Sequence, residues 1–232
     1  MIKLKNVNKT YISGEVKTKA LIDINLEFLE GEILVILGPS GSGKSTLLNV
    51  ISGLDTVSSG SISYNDEIIS NYTDKELTLF RRNNLSFIFQ QYNLLQNLNV
   101  RDNVEIGAVI SNNPLDIDEL ILKVGLNEMK SKYPYQLSGG EQQRVSIARS
   151  LAKNPKIMFC DEPTGALDQN TGQRVLTLIE DMNEIYKTST VIITHNPNIA
   201  KMAHRIVKMN SGRIVEIIKN EDRCKASDIK WA

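Results

Sequence analysis

From Gly38 to Thr46 the chain reads Gly-Pro-Ser-Gly-Ser-Gly-Lys-Ser-Thr. Three glycines, a lysine and the hydroxyl pair Ser45-Thr46 at this spacing are the makings of a loop that holds phosphate. Gly38, Gly41 and Gly43 reach backbone conformations closed to residues with a Cβ. Successive N–H groups can then turn inward as an anion nest, with Pro39, Ser40 and Ser42 completing the loop. Lys44 brings a mobile charge to the β- and γ-phosphates, Ser45 a hydroxyl ligand for Mg²⁺, and Thr46 continues the motif. A helix starting near Lys44 adds the positive end of its dipole. A nucleotide–Mg²⁺ site needs a second half, and Ile157-Met158-Phe159-Cys160 ends in Asp161-Glu162. Asp161 is placed to hold the ion. Glu162, alternating in direction, is placed to act as general base toward the attacking water. His195 ends the apolar run 190–194 and reads as a γ-phosphate contact. Gln90 ends the run 85–89, and its amide is a candidate to ligate Mg²⁺ or orient water.

Leu137-Ser-Gly-Gly-Glu-Gln-Gln-Arg144 is a second glycine-rich helix start. Ser138 and Glu141 match a capping box, a purely structural reading. Gly139 and Gly140 weaken the first turn of a helix, yet they bare N–H groups at its positive end. On that second reading the surface meets the phosphates of a nucleotide held by another copy of the chain, since the first loop already serves one.

These groups need strands to carry them. Residues 32–37 form an apolar run leading into the phosphate loop, and residues 47–51 continue it as a helix. Residues 2–9 alternate weakly and suit an antiparallel edge strand; with strands at 20–29 and 61–64 they make a small antiparallel layer. A helix is expected over 74–82. Strand signals vanish from 91 to 136, where short helices at 100–110 and 116–124 read as a helical insert. Counted with most of the helix that Ser138 opens toward Lys153, the insert spans about 91–150. Residues 172–186 form an amphipathic helix, residues 197–204 another helix, and residues 206–209 and 213–218 two short strands. Alternating buried strands and amphipathic helices imply an α/β fold, its mostly parallel sheet covered on both faces. Ligands bind such sheets at the carboxyl ends of the strands, so the groups above should converge. One domain is expected over 1–218, followed by a charged tail over 219–232.

Lys and Arg together number 27, and so do Asp and Glu, leaving the 232-residue chain with no net charge. That argues against bulk electrostatic binding to nucleic acid or anionic lipid, and no nucleic-acid partner is expected. The start carries no signal-peptide pattern, and no apolar run reaches the roughly 18 residues of a bilayer span. Any membrane role must then come through a partner. Cys160 and Cys224 read as free thiols in a reducing compartment. His204 lacks the context of His195 and reads as a surface residue.

With these stretches in hand, the chain strongly resembles the ATP-binding cassette (ABC) transporter ATPases. Gly38–Thr46 is similar to the Walker A motif, and Ile157–Asp161 with Glu162 to the Walker B motif and its base. Leu137–Arg144 is similar to the ABC signature, which is nearly specific to this superfamily. Gln90 matches the Q-loop, Ala166-Leu167-Asp168 the D-loop, His195 the switch histidine, and Tyr11 the aromatic that stacks on adenine. The resemblance is strongest to the branch serving lipoprotein release, macrolide export and antimicrobial-peptide efflux or resistance. It implies a P-loop NTPase fold, ATP and Mg²⁺ as cofactors, and ATP hydrolysis. It also implies a head-to-tail pair of copies, with Ser138, Gly139 and Gly140 closing on the partner's nucleotide and Asp168 at the same interface. A separate integral membrane permease is the expected partner, which places the chain at the cytoplasmic face of the membrane. An exporter of peptide, lipoprotein or drug is expected; the alternatives are a regulatory cassette or a soluble ATPase without transport cargo. The segment between Gln90 and Leu137 is shorter than is usual in the branch.

Overall fold

A computed structural model of the chain describes residues 1–229. In order, the elements are β1 (Ile2–Ser13), β2 (Val16–Phe28), β3 (Ile33–Leu37), α1 (Lys44–Ile51), β4 (Ser59–Tyr64), β5 (Glu67–Ile68), α2 (Asp74–Asn84) and β6 (Leu85–Ile88). There follow α3 (Val100–Val109), α4 (Ile117–Lys123), α5 (Gly139–Ala152), β7 (Ile157–Asp161), α6 (Gln169–Tyr186), β8 (Ser189–Thr194), β9 (Arg205–Asn210) and β10 (Arg213–Lys219). One sheet is antiparallel, in the order β2-β1-β4-β5. The other runs β10-β9-β3-β8-β7-β6, parallel from β9 to β6, with β10 antiparallel on its edge.

The parallel strands are apolar on both faces because both faces are covered. Ile33 and Val35 point into a core with Val104, Val145, Val175 and Ile179 of the helices. Leu34 and Ile36 point the other way, into a core with Leu47 and Ile51 of α1 and with Ile24 and Phe28 of the antiparallel sheet. The α/β class, the antiparallel layer and the helical insert are thus as expected, with the insert's own helices lying between 100 and 136. Helix α5 belongs to the insert and to the sheet covering at once, since its Val145 and Ala148 share a core with Met158 and Cys160 of β7.

Four expectations need correction. The strand at 2–9 is not an edge: β1 pairs with β2 on one side and β4 on the other, and it continues to Ser13. Asn6 has φ 49°, and the register shifts between Leu4 and Val7. This bulge breaks the period of two on which the alternation signal depends. Residues 197–204 form no α-helix, only a 3₁₀ turn at Ile199–Met202. The reason is reach. β8 and β9 lie on opposite sides of β3, so this short link must cross it, and a 3₁₀ turn rises more per residue than an α-helix.

The last two corrections concern the tail and His204. Residues 220–229 fold back along α6, where Arg223 pairs with Glu180 and the Ala226 N–H donates to Glu180 Oε2 at 2.8 Å. Ala226 and Ile229 are buried in the helical core; residues 230–232 of the expected tail lie outside the described residues. His204 is not a surface group. Its Nδ1 accepts the Ile33 N–H at 2.9 Å, and its Nε2 lies 3.0 Å from Arg223 Nη1. Burial, reinforced by the Arg223 guanidinium, holds His204 below the ordinary histidine range. The unfolded chain therefore binds this proton more tightly than the fold does. The stabilisation is present above the unfolded value of about 6.5 and is lost as the pH falls from there through the lower folded-state value. Urea midpoints at pH 7.5 and 5.5 should show the parent losing stability on acidification and His204→Gln losing less. Equal losses in both proteins contradict this assignment.

Candidate functional site

β3 ends at Leu37 and α1 begins at Lys44, with the phosphate loop between them. Gly43 has φ 97°, and a Cβ there would sit 2.6 Å from the Ala20 carbonyl oxygen, so only glycine fits. No side chain caps α1, which leaves its first-turn N–H groups for a ligand. Lys44 is buried, and its Nζ donates to the carbonyls of Gly38 at 2.8 Å and Pro39 at 2.9 Å. The ammonium thus stiffens the loop and keeps a third donor uncommitted. The loop opens on a cleft of about 780 Å³ lined by Pro39, Ser40, Gly41, Gly43, Lys44, Ser45, Thr46, Asp161, Glu162 and His195. Gly38 and Ser42 are not part of this lining. A Cβ on Gly38 would meet the Met209 carbonyl oxygen at 2.4 Å, and Ser42 Oγ is buried with no partner among the described residues.

The other wall comes from β7 and β8. Their parallel register sets Asp161 opposite Ile193, so both strands end at the cleft. Burial, then the Glu162 charge, pushes the Asp161 carboxyl up, and Lys44 opposes the shift. Glu162 has φ 47°, an uncommon conformation for a residue with a side chain. Its N–H donates to Ile193 O at 2.9 Å. Its carboxylate accepts from Thr194 Oγ1 and from the His195 N–H, each at 3.0 Å, and lies 2.6 Å from His195 Nδ1. The His195 side chain is 69% exposed, so the ring edge away from Glu162 can meet a ligand. Thr194 was missed in the sequence, although a hydroxyl just before His195 at a strand end is a readable signal. Thr18, Lys19, Ala20, Ser211 and Gly212 also line the cleft, and no local pattern marks them.

Among the described residues no group of three or more His, Cys, Asp or Glu is placed to hold a metal. Ser45 and Asp161 share the cleft instead. That sparse set fits Mg²⁺, which takes one or two carboxylates and fills its shell with water and substrate phosphate. Gln90 is not brought to the cleft lining; its amide lies over Gly165, whose Cβ would stand 2.9 Å from Gln90 Nε2. Tyr11 is 42% exposed and sits beside Thr46, outside the lining. Its hydroxyl donates to Asp55 at 2.8 Å, and Lys9 Nζ sits 4.9 Å from its ring centre.

Ser138, Gly139, Gly140 and Asp168 do not line this cleft. Ser138 caps α5 with both halves of the capping box, its N–H donating to Glu141 at 2.7 Å. Asp168 caps α6, accepting the Thr171 N–H at 3.1 Å. The glycines have a steric cause that the sequence did not show. A Cβ on Gly140 would stand 2.2 Å from Thr171 Cγ2, and one on Gly139 2.7 Å from the Tyr92 hydroxyl. The starts of α5 and α6 are therefore packed together, and neither contributes to its own chain's cleft.

Fold and cleft together define a nucleotide-binding P-loop cassette. A profile of the ABC transporter family matches residues 21–165. A putative ABC transporter ATP-binding protein of Mycoplasma pneumoniae, the MG065 homolog, is 48% identical over all of this chain, which spans half of that relative's length. The macrolide export ATP-binding/permease protein MacB 1/2 of Paracoccus denitrificans is 42% identical over 93% of this chain and a third (33%) of its own. The cassette MJ0796, solved as a dimer in a post-hydrolysis state bound to ADP and Pi, superposes with a TM-score of 0.85 at 39% identity, covering 95% of this chain and 99% of that one. This chain belongs to the ABC transporter family, as an ATP-binding cassette.

The steric role of Gly140 is open to test. Gly140→Ala should lower stability by about 1–3 kcal/mol through overpacking against Thr171. Adding Thr171→Ser, which deletes the clashing methyl, should restore part of it in urea denaturation. An unchanged midpoint in Gly140→Ala rules out the close approach.

Proposed function

We propose that this chain is the ATP-hydrolysing subunit of an ABC transporter, driving a membrane permease that exports peptide, lipoprotein or drug. One observation carries the reading. Lys44, Ser45, Asp161, Glu162 and His195 share one cleft, while Ser138, Gly139 and Gly140 stand outside it on a second helix start. A chain with both surfaces completes a site only by pairing head to tail with another copy. The dimeric state of the MJ0796 cassette supports that arrangement, and the name of the MacB relative supports export. Among the described residues no helix is long and apolar enough to cross a membrane, in keeping with a cassette held at the inner face of the membrane by its permease.

In this reading Tyr11 stacks on adenine, and residues 38–46 cradle the phosphates with Lys44 as the cation. Ser45 and Asp161, with the Gln90 amide, would hold Mg²⁺, which would supply charge neutralisation at the phosphates. Glu162 accepts the proton of the attacking water, and His195 contacts the γ-phosphate. Ser138, Gly139 and Gly140 of the second copy supply N–H groups and a hydroxyl to the same phosphate, with Asp168 beside them. Binding favours the closed pair and hydrolysis releases it, so nucleotide state becomes mechanical state.

Glu162→Gln keeps the side chain's shape but cannot accept a proton. Its turnover should fall by about 10²–10⁴ while ATP binding persists. The variant should accumulate as an ATP-bound pair on size exclusion, whereas Lys44→Ala stays single. Hydrolysis at the parental rate in Glu162→Gln would place the base elsewhere.

A further inference from the structure

The turn that carries Glu162 is braced from behind by a residue to which the roles above give no part. Gln143 lies early in α5 and is fully buried. Its Nε2 donates to the Pro163 carbonyl at 2.7 Å, and its Oε1 has no partner among the described residues. A buried amide with an idle acceptor is costly where Met or Leu would fill the same space. What the amide keeps is its bond to the Pro163 carbonyl.

That bond falls on backbone that needs outside support. Glu162 sits at φ 47°, and such a conformation persists only where its surroundings over-determine it. The Glu162 N–H is tied to Ile193 of β8, and its carbonyl accepts the Gly165 N–H at 3.0 Å within the turn. The next carbonyl, that of buried Pro163, is taken by Gln143. The turn is thus fastened to β8, to itself and to α5.

We infer that Gln143 is a positioning residue for the reaction: it pins the Glu162–Pro163 turn to α5 and so sets where the Glu162 carboxylate stands in the cleft. This rests on the reading of Glu162 as general base. Because α5 begins at Gly139, the same bond ties the base of one site to the helix start that meets the partner's nucleotide.

Gln143→Met fills the volume and removes the donor. Its kcat should fall roughly ten- to a hundredfold, the scale of a base displaced by about 1 Å, with KM for ATP near the parental value. In a Glu162→Gln background the same substitution should add no further loss, because Gln143 acts through Glu162. Gln143→Glu gives a second readout that does not depend on the Met variant folding. Facing a carbonyl in a buried site, the new carboxyl is held protonated and donates as the amide does. Its kcat should approach the parental value at low pH and fall as rising pH removes that proton, a fall absent from the parental profile. A folded Gln143→Met with parental kcat, an equal loss in the Glu162→Gln background, or a Gln143→Glu profile parallel to the parent overturns the inference. Parental turnover in Glu162→Gln alone instead removes the base assignment on which it stands, so the two failures are told apart.

Discussion

Everything at the cleft depends on the parallel register of β3, β8 and β7. Leu37 pairs with Thr194, and Asp161 with Ile193, so the three strands end level with one another. A slip of one residue would exchange the faces of every side chain on a strand. Here both faces are loaded, with Ile33 and Val35 in one core and Leu34 and Ile36 in the other. Packing alone therefore resists the slip, and the phosphate loop, the two carboxylates and His195 inherit their proximity from it.

The groups so gathered are held ready instead of relaxed. Burial raises the Asp161 carboxyl, the neighbouring Glu162 charge adds to this, and Lys44 only partly offsets it. Glu162 sits in an αL conformation that costs on the order of 1–3 kcal/mol. Thr194 and His195 hold its carboxylate, and Lys44 is clamped to the carbonyls of Gly38 and Pro39. Preorganised charges of this kind need little rearrangement when charge develops during phosphoryl transfer. The two helix starts at Ser138 and Asp168 are also built in advance, by caps and close packing, but on a surface apart from the cleft.

Much of this was legible in the sequence because it is local. The phosphate loop, the strand ending in Asp161 and Glu162, and the Ser138 cap each announce themselves within a few residues. What stayed hidden is either irregular or long-range. A bulge at Asn6 concealed the full length and the central place of β1. The charges around 219–229 masked Ala226 and Ile229, whose burial depends on α6 far away in sequence. His204 gains its role only where β9 meets β3 and the returning Arg223. The bond from Gln143 to Pro163 likewise exists only once α5 lies against the turn after β7.

The central claim is that one chain carries two halves of two different sites. Mixing a Ser138→Arg chain with a Lys44→Ala chain tests it directly. Each variant alone forms no intact site under this account. The mixed pair joins the good phosphate loop of the first chain to the good helix start of the second, and so regains one. ATP-dependent pairing, with one nucleotide held per pair, should therefore appear in the mixture and in neither variant alone. A mixture as inert as its components would mean that Ser138 acts within its own chain or only as a helix cap, and the head-to-tail account would be wrong.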